Sequence, residues 1–199
     1  MIRGNLQSPL AIGAEGHPRQ NVSGCPYRCV TVFAVTRRRR GLVMNKKTIA
    51  GIAAGRKLHL VDVENLCGTG ALSESMVMEA REMYLRQVSV GADDLVVVAS
   101  GRFNQESVMF GWAGARKIVR GGIDGADLAL CDEIECSSYC ENFSEVVVAS
   151  GDHIFAEHIA VLTGKGLKVT VYSQERALAG VLRGVGAELL FAEQLVLAA

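Results

Sequence analysis

The sequence predicts an α/β domain of three layers, in which a mainly parallel sheet lies between two layers of helices. From residue 58 onwards, short β-branched runs alternate with longer amphipathic stretches, which is the pattern of parallel strands joined by crossover helices. Most of the short runs are apolar at almost every position, as is typical of strands that helices cover on both faces. With 199 residues, the chain is long enough to bury a core without disulfides or metal ions.

The strands are predicted where the short apolar runs lie, at 58–63, 95–100, 117–120, 145–150, 168–173 and 187–191. Helices are predicted where apolar residues recur with a helical period, at 73–87, 127–135, 153–163 and 175–183. Ser73 is the expected N-cap of the first of these helices, because a serine hydroxyl can accept a free backbone N–H there. The ordered domain is therefore expected to span residues 56–199.

Residues 1–55 are predicted to lie outside this domain. This segment contains all three prolines, has no sustained period, and carries seven arginines against the single acid Glu15 in its first 45 residues. It is either a disordered extension or, if translation begins at Met44, a wrongly assigned start. In a real extension, the run 37–40 of four arginines would be a solvated charge run or a contact to phosphates.

Composition excludes several classes of protein. No apolar run is long enough to span a bilayer, and the stretch after the arginine run is too interrupted to be an export signal. The six cysteines form no CxxC pair and no cluster with zinc spacing, so reduced thiols are expected. Cys67 has no evident histidine partner and is not expected to be a nucleophile. These observations predict a cytoplasmic protein, either a monomer or a homo-oligomer, with no membrane partner.

Acidic residues follow several of the predicted strands. Asp62 ends the first strand and is followed by Asn65, Asp152 directly follows the fourth strand, and Asp124 and Asp127 open the helix after the third. The carboxyl ends of parallel strands meet at one edge of a sheet, so these carboxylates are expected to converge there. They would suit Mg²⁺ or Mn²⁺. The alternative is structural: Asp62 would accept backbone N–H groups, and Asp127 would be a favourable charge at a helix N-terminus.

Three segments in this order resemble one family. The combination LHLVDVENL (58–66), GADLALCDEI (125–134) and VVVASGDHIF (146–155), followed by KVTVYS (168–173), is similar to the NYN domain, a branch of the PIN-like ribonucleases. The resemblance covers residues 57–193. It implies a Rossmann-like parallel sheet, a Mg²⁺ or Mn²⁺ site made by acids at the strand ends, and cleavage of RNA. The matching positions are Asp62, Asn65, Asp127, Ser150, Gly151 and Asp152, with Asp62, Asp127 and Asp152 as the implied catalytic and metal-binding acids and Asp124 as a further supporting acid.

One position departs from the family pattern. The family continues the Ser-Gly-Asp motif with a second aspartate before a phenylalanine, and this chain has Ile154 there. Two expectations follow for position 154: it faces the cleft, in which case an aspartate would restore a ligand, or it anchors the chain to the core. The leading functional hypothesis is a metal-dependent ribonuclease. The alternatives are a catalytically weakened module that binds RNA or protein, and an unrelated small-molecule enzyme on the same fold.

Two histidines have different expected roles. His59 alternates with apolar residues of the first strand and is expected to be a structural, hydrogen-bonded histidine. His153, next to Asp152, is expected to be a solvated neighbour of the acidic site, with a proton shuttle or a phosphate contact as the alternative.

Overall fold

The computed structural model describes residues 55–135 and 142–193, and these residues form the predicted α/β domain. Its sheet has six parallel strands: β1 (Lys57–Asp62), β2 (Leu95–Ser100), β3 (Arg116–Val119), β4 (Glu145–Ala149), β5 (Lys168–Ser173) and β6 (Glu188–Phe191). The strand order is β3-β2-β1-β4-β5-β6. This is the Rossmann order, in which the direction of the connections reverses between β1 and β4 and leaves a crevice at their carboxyl ends.

Within the described residues the strands are joined by five α-helices and several 3₁₀ turns. The helices are α1 (Val63–Cys67), α2 (Glu74–Gln87), α3 (Gln105–Gly111), α4 (Gly125–Glu135) and α5 (Ala156–Gly164). Ser73 caps α2 as predicted, because its hydroxyl accepts the N–H of Met76. The sequence pattern missed α1 and α3. The helix predicted from residue 153 begins as a 3₁₀ turn, His153–Phe155, before α5.

The helix predicted at 175–183 is wrong. The chain forms two separate 3₁₀ turns there, Glu175–Ala177 and Gly180–Gly184. Between them Leu178 and Ala179 are extended, and the N–H of Ala179 donates to the carbonyl oxygen of Gly151 at 2.8 Å. This N–H is bonded to the loop after β4, so it cannot continue a helix.

The core lies on both faces of the sheet. On one face, Leu60 and Val148 pack with Leu130 of α4 and Ile159 of α5. On the other, the alternate strand residues pack against α1, α2 and α3, where Tyr84, Trp112 and Tyr172 form an aromatic cluster. Because side chains alternate along a strand, Asp62 continues the face of Leu60, towards α4 and α5.

A buried polar cluster lies at the amino-terminal end of the sheet. His59 Nδ1 lies 2.7 Å from the Tyr84 hydroxyl and Nε2 lies 3.2 Å from Asp94 Oδ2. Asp94 also accepts the N–H groups of Lys57 and Gly91. Burial lowers the pKa of His59, so the neutral ring donates from Nε2 to Asp94 and accepts the tyrosine proton at Nδ1. His59 is therefore the structural histidine that the sequence predicts.

Some sequence predictions concern residues that lie outside the described part of the chain. They include the extension 1–54 with the alternative start at Met44, and four of the six cysteines. The two described cysteines, Cys67 and Cys131, are buried and free of disulfides, as predicted. Burial raises the pKa of Cys67 to about 11, which fits the expectation that it is not a nucleophile. No helix among residues 55–135 and 142–193 has the length and apolar character needed to cross a bilayer.

Candidate functional site

Asp62 is buried at the carboxyl end of β1, where the strand order reverses. Its side chain caps α1, because Oδ1 accepts the N–H of Asn65 at 3.2 Å. Oδ2 accepts the hydroxyl of Ser150, directly after β4, at 3.3 Å. Part of the structural alternative is therefore correct, since Asp62 does accept a backbone N–H. These two donors also hold the carboxylate in one orientation at the crevice.

Asp127 lies in the first turn of α4, beside Asp62. Burial and the neighbouring charge of Asp127 raise the pKa of Asp62 well above its ordinary value. Burial also raises the pKa of Asp127, and the charges of Asp152 and Asp124 add to this effect, while the interaction with Asp62 opposes it. Among the residues that the structure describes, Asp127 Oδ1 is buried and has no hydrogen-bond partner. Ionisation of both carboxyls would therefore place more negative charge here than the surrounding groups compensate.

Asp152 lies near this pair but already has partners. It caps the turn before α5, where its Oδ1 accepts the N–H of Ile154 at 3.0 Å, and the same oxygen lies 2.8 Å from His153 Nδ1. Asp62 ends β1, Asp152 follows the parallel strand β4, and Asp127 begins the helix after β3, so the three predicted acids lie at one edge of the sheet. The charge of Asp152 also raises the pKa of Asp127. The ring of His153 is 80% exposed, as expected for a solvated neighbour.

Asp124 is an exposed residue at the start of α4. It has a positive φ of 55°, a conformation that aspartate tolerates better than most residues. Its carbonyl oxygen accepts the N–H of Leu128 at 2.9 Å and so begins the helix. Its side-chain charge contributes to the raised pKa of Asp127, and its supporting role stays a prediction.

The remaining supporting residues join the two halves of the sheet. Asn65 Oδ1 accepts the N–H of Gly151 at 2.9 Å and thereby ties α1 to the loop after β4. Gly151 is required there, because an added Cβ would collide with the carbonyl oxygen of Ala177 and the hydroxyl of Ser173. Asn65 and Gly151 therefore fix the crevice between β1 and β4 rather than offer side chains to a ligand.

Two residues that the sequence did not single out for this role hold the loop after β2. Glu64 Oε1 accepts the N–H of Gly101 at 2.8 Å and the side-chain amide of Asn104 at 2.6 Å. Asn104 is buried and also bonds the backbone of Gly70 and Leu72. Glu64 stands next to the Asp62 motif, which was a usable signal, whereas nothing in the local sequence marks Asn104.

Ile154 takes the second of its two expected roles. Its side chain is half-buried and packs against the core on the α4 and α5 face of the sheet. The position at which the family has a further aspartate is thus an apolar contact here. The sequence offers three other acids that could take over from the missing one, Glu157, Asp132 and Asp124. Glu157 lies on α5 and Asp132 on α4, and Asp132 pairs with Arg120 at 2.8 Å.

The donor set fits a hard divalent cation in its chemistry. It offers buried carboxylate oxygens, one of them without a donor, and such oxygens are the ligands that Mg²⁺ and Mn²⁺ prefer. In residues 55–135 and 142–193, no three His, Cys, Asp or Glu side chains already form the geometry of a metal site. The fit therefore rests on Asp62 and Asp127, with Asp152 nearby.

Known proteins offer a similar structure but no similar family. The sequence matches no protein-family model and no curated protein. A solved structure, that of a protein of unknown function from Vibrio parahaemolyticus, is similar with 15% sequence identity and a TM-score of 0.48. The similarity covers 69% of this chain and 93% of that chain.

Proposed function

We propose that this protein is a metal-dependent ribonuclease that hydrolyses RNA phosphodiester bonds at the edge formed by Asp62, Asp127 and Asp152. The observation that carries the proposal is the pairing of the buried Asp62 with the half-buried Asp127 where the strand order reverses, because ionisation of both would lack compensating charge. RNA as the substrate is supported by the resemblance of the three motifs to the NYN domain.

The charge of the pair argues for a cation. A buried carboxylate without a partner is costly, and two neighbouring carboxylates cannot both ionise easily. Asp62 and Asp127 would hold Mg²⁺ or Mn²⁺, and Asp152 would contribute from the start of α5. When bound, the ion supplies the positive charge that activates a water nucleophile and neutralises the charge of the phosphodiester.

The other residues of the site act by positioning. The N–H of Asn65 and the hydroxyl of Ser150 fix both oxygens of Asp62, so this carboxylate needs little reorganisation when it ionises. The bond from Gly151 to Asn65 keeps the loop after β4 against α1. Asp152 follows β4 at the same edge of the sheet, and its side chain is 36% exposed, so a substrate could reach it.

A module that binds RNA without cleaving it is the second candidate. It is favoured by Asp152 Oδ1, which already accepts a backbone N–H and faces His153, and by the packing of Ile154 against the core. Because Asp152 is already hydrogen-bonded and position 154 is apolar, fewer carboxylates can bind a metal ion here than in the NYN pattern. Weak metal binding and no turnover would result.

The two candidates are separated by a cleavage assay with a matched pair of variants. The full chain is incubated with labelled single-stranded and structured RNA in Mn²⁺, Mg²⁺ or chelator. We expect Mn²⁺-dependent cleavage that Asp127→Asn reduces by more than the roughly 10- to 100-fold typical of losing an outer-shell partner. Asp132→Asn, an exposed aspartate on the same helix, is the control and should retain activity. RNA binding by the unmodified chain without cleavage in any metal would favour the second candidate.

A further inference from the structure

The loop after β2 presents a phenylalanine entirely to solvent. Phe103 is 102% exposed, and Ile123, in the loop after β3, is 90% exposed. Both loops follow the carboxyl ends of neighbouring parallel strands, so they lie at the same edge of the sheet as Asp62. A side chain with no buried surface contributes almost no hydrophobic stabilisation to the fold. The fold therefore does not explain why a large aromatic ring stands here.

The backbone that carries Phe103 is anchored on both sides. Gly101 donates its N–H to Glu64 Oε1, and Asn104 donates both its amide group to the same oxygen and its N–H to the carbonyl of Gly101. Asp62 and Ala99 are register partners about 5 Å apart, and Phe103 follows Ala99 by four residues, which adds at most about 15 Å. The anchored loop therefore holds the Cα atom of Phe103 within about 20 Å of the Cα atom of Asp62.

Arg102 directly precedes this phenylalanine in the chain. The side chain of Arg102 lies along Gly121 in the loop after β3, so closely that a Cβ at position 121 would be 2.9 Å from its Nε. Arg102 thus bridges the loops that carry the two exposed apolar residues. An arginine and an exposed phenylalanine on the same short turn are suited to a nucleotide, since a guanidinium binds phosphate and an aromatic ring stacks on a base.

We propose that Phe103 stacks on an unpaired base of the RNA while Arg102 contacts the adjoining phosphate, so that the loop after β2 positions a single-stranded segment beside the acid pair. This inference rests on the proposed function for its choice of RNA. Bases within a duplex are already stacked on one another, so only a splayed or single-stranded nucleotide can use the ring. Phe103 is therefore a positioning residue that selects unpaired RNA.

The test measures binding rather than cleavage. A short single-stranded RNA carrying 2-aminopurine is titrated into the full chain in the Asp127→Asn background, and both anisotropy and 2-aminopurine fluorescence are followed. We expect Phe103→Ala to weaken binding roughly 5- to 100-fold and to reduce the quenching that stacking causes. Phe103→Trp should preserve both signals. Phe110→Ala removes another exposed phenylalanine, on α3, and should have little effect. Unchanged melting temperatures confirm that the fold is intact.

Several results would overturn the inference. They are an absence of RNA binding, equal affinity of the parent and Phe103→Ala, and equal losses for Phe103→Ala and Phe110→Ala. Self-association that Phe103→Ala abolishes, with RNA binding unchanged, would assign the ring to a second copy of the chain instead. Binding that depends on Phe103 in a protein whose unmodified form never cleaves RNA would refute the nuclease and keep the stacking role. RNA cleavage together with an RNA affinity that does not depend on Phe103 would support the nuclease and refute the stacking role.

Discussion

Strand β1 carries a buried polar cluster at each end, and the two clusters differ in how well their groups are paired. At the amino-terminal end, both ring nitrogens of His59 have partners, and Asp94 accepts two backbone N–H groups besides. At the carboxyl end, burial and Asp127 raise the pKa of Asp62, burial raises the pKa of Asp127, and one oxygen of Asp127 has no donor among the described residues. Burial of a polar group alone does not indicate a functional site. The informative feature is a charge left without compensation.

The pKa shifts of Asp94, in the amino-terminal cluster, and of Asp62, in the carboxyl-terminal pair, have opposite signs. Burial alone would raise the pKa of Asp94, but the N–H groups of Gly91 and Lys57 and the interaction with His59 lower it below its ordinary value. The pKa of Asp62 is raised, because burial and Asp127 outweigh the N–H of Asn65. The amino-terminal cluster therefore stabilises the fold in its ionised form, whereas the carboxyl-terminal pair is destabilised by ionisation unless a cation is present.

The largest expected effect comes from breaking the paired cluster. Asp94→Ala leaves two backbone N–H groups and the Nε2–H of His59 without their acceptor, which we expect to lower the free energy of unfolding by about 3 kcal/mol. Chemical denaturation measures this loss. Asp93→Ala is the matched control, because Asp93 is the exposed neighbour of Asp94 and its side chain should matter little. A small effect of Asp94→Ala would mean that this cluster is not the stabilising one.

A second change adds an acid at the carboxyl-terminal end, at position 154. Because Ile154 packs against the core, Ile154→Asp should lower the free energy of unfolding by about 2 kcal/mol and leave Mn²⁺ affinity unchanged. Calorimetric titration with Mn²⁺ and denaturation of the same samples measure both quantities. Ile154→Val is the control for lost packing. Tighter Mn²⁺ binding by a well-folded Ile154→Asp protein would show that this position reaches the crevice after all.

The third change relieves the unpaired cluster. Asp127→Asn removes one of two crowded charges, so the metal-free protein should gain about 1 kcal/mol of stability and lose any stabilisation by Mn²⁺. Melting curves with and without Mn²⁺ test both statements. If Asp127 were merely a structural helix charge, the variant would be less stable in chelator and would respond to Mn²⁺ as the unmodified protein does.

The smallest effect is a change in pH dependence. The folded-state pKa of Asp62 is raised, so its contribution to stability is fully present below its ordinary pKa and is lost as pH rises through the folded-state value. The asparagine of the Asp62→Asn variant cannot ionise. In chelator, the melting temperature of the variant minus that of the unmodified protein should therefore increase as pH rises. The comparison is made by differential scanning fluorimetry across this range. A constant difference would indicate that Asp62 ionises normally in the metal-free protein.

The sequence predicted the strands well and the connections unevenly. Runs such as Leu95–Ser100 are apolar on both faces, so the strand and its parallel setting follow from composition alone. The turns at residues 175–184 were mistaken for a helix, because their spacing is amphipathic and the bond from Ala179 to Gly151 joins distant segments. Helix α3 was missed because it is short and follows Asn104, whose side chain makes tertiary hydrogen bonds and does not cap the helix.

For the candidate site, the sequence identified the acidic residues but not their hydrogen-bond partners. The positions of Asp62, Asp127 and Asp152 at strand ends and helix starts made their convergence predictable. The hydrogen bonding of each acid was not predictable, because it depends on the folded chain. Asp62 accepts the hydroxyl of Ser150, and Asp152 accepts the N–H of Ile154. Oδ1 of Asp127 has no donor among the described residues. The same limit applies to Phe103, because its full exposure becomes visible only once the loop is folded.

The steric restriction at Gly151 predicts which substitutions the chain tolerates at this position and which residue distant relatives should share there. Because any Cβ at this position collides with neighbouring groups, a library of all substitutions should retain only glycine there, while the exposed position of His153 should tolerate most residues. The architecture requires Gly151, whereas the three acids are required only by the proposed chemistry. A relative that has lost its acids but keeps this glycine would retain the crevice, and could have acquired a different ligand in it.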